Sequence, residues 1–142
     1  MRIAIPIWND KISPVLDTAS RLLIVDVDDQ NEADRFEIYL DEQNLSRRCF
    51  RIQGMNVNIL ICGAISHPFA RMLIASGIDV IPEISGLAEE VLSAYLQGDL
   101  FNSRFLMPGS IRSGFDKKNI ISGSKRMMET NLKKDRPQSK EK

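Results

Sequence analysis

The sequence predicts an α/β fold built on one mixed, five-stranded sheet. Three observations predict it. First, Val57 to Pro68 reads as a buried strand that runs straight into a helix. Ile59, Leu60, Ile61 and Cys62 form an unbroken apolar run, as in a strand covered on both faces. Second, three strand-like segments in succession precede it, which suits an antiparallel meander. Third, strand and helix signals alternate after it, which requires parallel strands joined by right-handed crossovers. The segment order is β-β-β-α-β-α-β-α.

The first strand is Arg2 to Trp8, apolar nearly throughout, and its Pro6 must turn its nitrogen to a gap in the ladder or to a bulge. A polar loop, Asn9 to Ser20, follows. Arg21 to Val27 is a second, aliphatic strand, and Asp28 to Asn31 a turn cluster. Arg35 to Leu40 alternates polar with apolar, so it is a third strand with one wet face at the sheet edge. Asp41 is expected to cap a helix to about Gln53, with Leu45, Cys49 and Ile52 on its inner stripe and Gly54 ending it. Arg47, Arg48 and Arg51 on that helix are expected to form a solvated basic face.

After the fourth strand, Gly63 permits a tight turn, Ser66 is a helix N-cap, and Pro68 is tolerated in the first turn, where an amide needs no partner. Phe69, Met72 and Leu73 form the inner stripe of that helix, and Gly77 stops it. Gly77 to Pro82 holds a short fifth strand. Gly86 opens a third helix with Glu89 and Glu90 in its first turns, where acids are favoured, and Gly98 stops it.

If the fourth strand pairs with the first, the strand order is 3-2-1-4-5, with strand 2 antiparallel. The chain then leaves strands 1 and 4 in opposite directions, which is a topological switch point. A crevice is expected there, between the Asn9–Ser20 loop and the turn from Gly63 to His67. The start of the helix capped by Ser66 would offer it free amides and partial positive charge.

Length and composition suit one domain with a real core. No apolar run reaches the ~18 residues of a membrane span, and two cysteines, Cys49 and Cys62, make neither a disulfide framework nor a four-thiolate site. A soluble cytoplasmic protein is the expectation, with no membrane partner. The net charge of zero hides a split: residues 1–100 carry 8 Lys or Arg against 15 Asp or Glu, and residues 101–142 carry 11 against 4. The body is thus acidic at −7 and the C-terminal segment basic at +7. Residues 101–142 are expected to be a basic, largely disordered tail, since periodicity fades after Gly98. Its cations are scattered without aromatic interleaving, so nucleic acid is not the expected partner.

Several motifs coincide: Met1-Arg-Ile-Ala-Ile-Pro-Ile-Trp8, Ser13-Pro-Val-Leu-Asp17 with Ala19, Leu22-Leu-Ile-Val-Asp26, Ile61-Cys-Gly-Ala-Ile-Ser66 and Ala75-Ser-Gly-Ile-Asp-Val80. Together they resemble the dinitrogenase iron-molybdenum cofactor biosynthesis family, the small nitrogenase accessory factor-like domains, over residues 1–100. The resemblance extends weakly to Met107-Pro-Gly109 and is strongest to stand-alone members. It implies a ribonuclease H-like, three-layer α/β/α fold. It also implies an iron-sulfur or iron-molybdenum type cluster as weakly and reversibly bound cargo, with metal-cluster assembly or acceptor proteins as partners. Many stand-alone members place cysteine after Met-Pro-Gly; Ser110 stands there, which removes that thiolate.

The candidate binding residues are Asn9, Ser13, Gly63, Ser66 and His67, all on the two loops of the expected crevice. His67 is the sole histidine. Cys62 is a soft ligand by type, but its apolar strand favours packing. Ser13 and Asp17 suit a capped turn as well as a ligand contact. Ribonuclease H chemistry places carboxylates on strand 1 and near the end of strand 4 to hold two metals. Strand 1 here alternates Ile3, Ile5 and Ile7, and strand 4 ends in Gly63. No nucleophile triad, zinc spacing or P-loop is present either. The expected function is a non-catalytic accessory or carrier module. The alternative is a metal-free regulatory module that binds a small anion or a protein.

Overall fold

The computed structural model describes residues 1–100 and 103–107. Its strands are β1 (Arg2–Trp8), β2 (Lys11–Ile12), β3 (Arg21–Asp28), β4 (Asn31–Tyr39), β5 (Ile59–Ile61) and β6 (Asp79–Ile81). Its helices are α1 (Leu45–Gly54), α2 (His67–Ala75) and α3 (Ala88–Leu96), with one-turn 3-10 helices at Leu16–Thr18 and Ser103–Phe105. The sheet runs β4-β3-β1-β5-β6, and β2 pairs with β1 off this path. β1 is antiparallel to β3 and parallel to β5, so the sheet is mixed.

The period of two along β1 explains why both sheet faces are covered. Ile3, Ile5 and Ile7 join Leu23, Val25 and Ile61 in a cluster closed by Ala88, Val91 and Leu92 of α3. Ala4 joins Leu22, Ile24 and Leu60 in a second cluster, closed by Cys49 and Ile52 of α1 and Phe69 and Leu73 of α2. One face therefore carries two helices and the other one. β4 lies at an edge, and its surface is exposed and charged at Glu32, Asp34 and Glu37, with half-buried Arg35 among them, which discourages edge-to-edge pairing.

Pro6 is accommodated because β5 pairs only with Ile3 and Ala4, so no parallel neighbour reaches the proline nitrogen. The Pro6 carbonyl on that side accepts from the Ser13 amide at 2.8 Å.

Several local expectations need correction. The loop after β1 is not irregular throughout, because Asn9 and Asp10, at φ 51° and 66°, make a two-residue turn and β2 folds back on β1. Asparagine and aspartate tolerate the left-handed region that such a turn demands. β4 begins at Asn31, not Arg35, because the Asp29-Gln30 turn has the same left-handed geometry and hands the chain directly into the ladder. α1 begins later than expected: Asn44, not Asp41, is its cap, accepting from the amides of Ser46 and Arg47. Gly54 closes α1 from inside the helix, and the left-handed residue beyond it is Asn56 at φ 60°. Leu87, not Gly86, is the N-cap of α3. The expected disorder of the tail falls on residues 101–142, of which all but 103–107 lie outside the described residues.

Candidate functional site

The loops at the carboxyl ends of β1 and β5 do meet, but they meet in contact. The Ala64 amide donates to the Pro14 carbonyl at 2.8 Å, and the Leu16 amide donates to the Ala64 carbonyl at 2.9 Å. Val15 and Ala64 thus form a parallel bridge that extends the β1–β5 pairing beyond the strands. No open crevice separates them. Gly63 makes this closeness possible. A Cβ there would stand 2.7 Å from the Pro14 carbonyl oxygen and 2.9 Å from that of Ser13, so no side chain fits.

The start of α2 is also filled. Asp17, on the 3-10 turn, accepts the Ser66 amide at 2.9 Å and the Ser66 hydroxyl at 2.5 Å. The Ser66 oxygen in turn accepts the Phe69 amide, the usual N-cap bond. A helix start favours negative charge. Here the chain's own carboxylate supplies it.

The Asp17 turn is held from behind by Arg48, which is buried rather than on a solvated face. Its guanidinium donates to the carbonyls of Leu16, Ala19, Leu40 and Glu42. Burial lowers its pKa from the ordinary arginine value, and the charges of Asp17 and Glu42 oppose that shift. The signal was present in the sequence. Arg48 lies four residues before Ile52, on the inner stripe of α1, where a solvated residue does not belong.

The five candidate residues divide into three settings. Ser13 is buried and Gly63 lies against its carbonyl, so these two are together. Ser66 joins them through Asp17. His67 is the exposed first residue of α2, beside that cluster in sequence but outside its hydrogen bonds. Asn9 is elsewhere, at the exposed tip of the β1–β2 hairpin. That hairpin is tied to the start of α3: the Ala88 amide donates to the Asp10 carbonyl, and Ile12 donates to Gly86. The loop after β1 therefore splits, its first half docking on α3 and its second on α2.

Cys62 is fully buried, and burial, with a smaller contribution from the Asp17 charge, pushes its thiol far above the ordinary range. Such burial disfavours the thiolate, and the side chain packs in the core among Leu60, Phe69 and Leu73. Cys49 is buried too, with its sulfur 3.4 Å from the Ser76 hydroxyl at the end of α2. Among the described residues no three His, Cys, Asp or Glu side chains converge in a metal-binding group. No described helix is long and apolar enough to cross a membrane. Among the described residues, two concavities lie on the α3 face, a groove of about 1290 Å³ beside the β3–β4 turn and a smaller hollow of about 310 Å³ near Asp10.

An open mixed sheet with helices on both faces, and with its loops gathered at the carboxyl ends of the central strands, defines an α/β domain of the doubly covered class. The chain belongs to the dinitrogenase iron-molybdenum cofactor family, whose sequence profile matches residues 1–98. Solved structures share the fold. A Methanocaldococcus jannaschii protein, provisionally described as a dinitrogenase, is 27% identical, with 70% of this chain and 90% of that one covered at a TM-score of 0.59. A Thermotoga protein, provisionally described as a NifB protein, is 15% identical, with 90% and 97% covered at 0.57. The apo form of the orange protein from Desulfovibrio gigas is 18% identical, with 79% and 96% covered at 0.55. At such identities the last two show a common fold alone. No curated protein matches the chain.

Proposed function

We propose that this chain is a non-catalytic accessory or carrier module of its family, with a ribonuclease H-like fold, working in the cytoplasm. Its cargo is an iron-sulfur or iron-molybdenum type cluster, taken from assembly proteins and passed to acceptor proteins. Family membership over residues 1–98 supports the cluster as cargo. The observation that carries the mechanism is the Asp17 carboxylate on Ser66. It marks the start of α2 as a seat for negative charge that is already filled. An anionic cluster reaches the same amide and hydroxyl only by displacing Asp17, and that competition makes binding weak and reversible, as a carrier requires. In this reading His67, exposed at the first position of α2, contacts the rim of such a cargo, while Asn9, on the hairpin docked against α3, takes no part.

The test is anaerobic titration of the full chain with a purified cluster, followed by its visible absorbance. Asp17→Asn removes the competing charge and should tighten binding. His67→Ala should weaken it by about 1.5–3 kcal/mol, the worth of one contact to a charged group. Equal affinities in all three proteins would refute the seat. Iron, molybdenum and sulfide analysis of anaerobically purified protein checks the cargo.

A second reading, a metal-free module that binds a small anion or a protein, is favoured by the closed contact of Pro14 and Leu16 with Ala64. Phosphate or sulfate then tightens the fold while clusters do not bind.

A further inference from the structure

The single helix on the α3 face covers β3, whose Leu23, Val25 and Val27 are buried, but leaves the edge strand β4 incompletely roofed. The groove of about 1290 Å³ lies there, at the sheet edge opposite the loops described above. Leu92 and Leu96 of α3 give it apolar lining, and Asp28, Asp29, Glu32 and Glu89 give it negative charge. Arg35 bridges Glu32 and Glu89, and the Met1 ammonium donates to the Val27 carbonyl. Four carboxylates against these two cations leave two negative charges uncompensated, those of Asp28 and Asp29 on the turn.

The charge that complements this groove is in the chain itself. Residues 101–142 carry a balance of +7. Within them, Lys117-Lys-Asn-Ile-Ile-Ser-Gly-Ser-Lys-Arg126 holds four cations, no acid and a central Ile120-Ile121 pair. An apolar pair flanked by cations matches an apolar floor flanked by carboxylates. The chain that precedes the segment sets its reach. The last described residue, Met107, donates to the Glu83 carbonyl just past β6. Nine residues, 108–116, lie between it and Lys117, and these ten steps span at most about 33 Å of extended chain. A domain of this size is about 33 Å across, twice a radius of gyration plus a margin.

We propose that the groove between the β3–β4 turn and α3 is the docking site of the chain's own Lys117–Arg126 segment.

The test uses the full chain carrying Ser124→Cys and a nitroxide label. Both native cysteines are buried, so the label goes to position 124. The amides of Asp29, Gln30, Ser93 and Gln97 around the groove should lose most of their NMR intensity at low salt. They should recover in ~1 M salt, where the Debye length is ~3 Å, and in an Asp28→Asn, Asp29→Asn background. Asparagine keeps the left-handed turn at residue 29, so the groove's shape survives the change. Unlabelled Lys117→Gln, Lys118→Gln protein should show shift changes at the same amides, a control for the label itself. Broadening spread evenly over the domain, or insensitive to salt and to the two asparagines, would overturn the proposal. So would broadening that appears only when label and isotope are on different copies, which would make a second molecule the source of the segment.

Discussion

Replacing Gly63 with alanine tests the loop contact most directly. The new Cβ would lie 2.7 Å from the Pro14 oxygen and 2.9 Å from the Ser13 oxygen, both backbone atoms that cannot rotate away. Ordinary contact begins near 3.4 Å, so the loops must part by about 0.7 Å. The Ala64–Pro14 hydrogen bond, now 2.8 Å, then stretches to the limit of a useful bond, and its neighbour from Leu16 to Ala64 follows. Two weakened backbone bonds in a largely closed setting are worth about 2–4 kcal/mol once the desolvated groups are included. The gain from a stiffer unfolded chain, about 0.4–1 kcal/mol, offsets part of it. The expected net loss is about 2–3 kcal/mol, read as a lower urea midpoint by circular dichroism. Trp8 fluorescence is the poorer probe, because that side chain is already 60% exposed when folded. Gly54 supplies the control. Nothing lies within 4 Å of a Cβ built there, and its φ is not positive. Gly54→Ala should therefore stabilise by about 0.4–1 kcal/mol. A Gly63→Ala protein within about 0.5 kcal/mol of the parent, a change typical of unconstrained surface sites, would refute the close approach.

Asp17→Ala should cost about 2–4 kcal/mol in the same assay, since it strips two bonds to a charged acceptor and a charge facing the buried Arg48. Cys62→Ser should cost about 1–3 kcal/mol by placing a hydroxyl in a fully buried apolar strand, and neither cysteine should react with a thiol reagent before unfolding. The carboxyls of Glu32 and Glu89 are held below their usual range, first of all by hydrogen bonds from Arg35. A depressed carboxylate contributes stability that is present above its unfolded value, near pH 4.5, and is lost as pH falls through the folded one. The acid side of the stability profile should thus flatten in Arg35→Gln, while the profile above pH 6 keeps its shape; an unaltered acid limb would show that the bridge between β4 and α3 contributes nothing.

Much of the fold was legible because its signals are local. The apolar run at Ile59–Ile61 and the cap at Ser66 declared a strand and a helix, and the alternation of Ile3, Ile5 and Ile7 shows in the structure as one buried face. The two-residue turn at Asn9-Asp10 was equally local and was readable from residue type, since asparagine and aspartate between strand-formers favour that geometry. The site was less legible, because its determinants are contacts between distant segments. Nothing near Asp17 in sequence shows that its carboxylate meets Ser66, 49 residues on. Topology correctly brought the two loops to one edge, but whether they enclose a gap or close on each other depends on a few tenths of an ångström at Gly63. The acidic groove on the α3 face was invisible for a related reason. It arises from what does not cover the edge strand β4, and absence of a roof leaves no periodic mark on the chain.

Arg48 has a consequence for anyone who would move the switch-point loop to another scaffold. Its one side chain gathers carbonyls from the Leu16–Ala19 turn and from the Leu40–Glu42 stretch, two pieces of chain joined only through the hairpin of β3 and β4. The loop's shape is therefore written partly in residue 48. A graft of residues 13–19 alone would carry carbonyls aimed at a cation left behind, and lysine, with a single nitrogen, cannot span both pieces in its place. In natural variation the same logic predicts that the length of this loop and the identity of residue 48 change together or not at all.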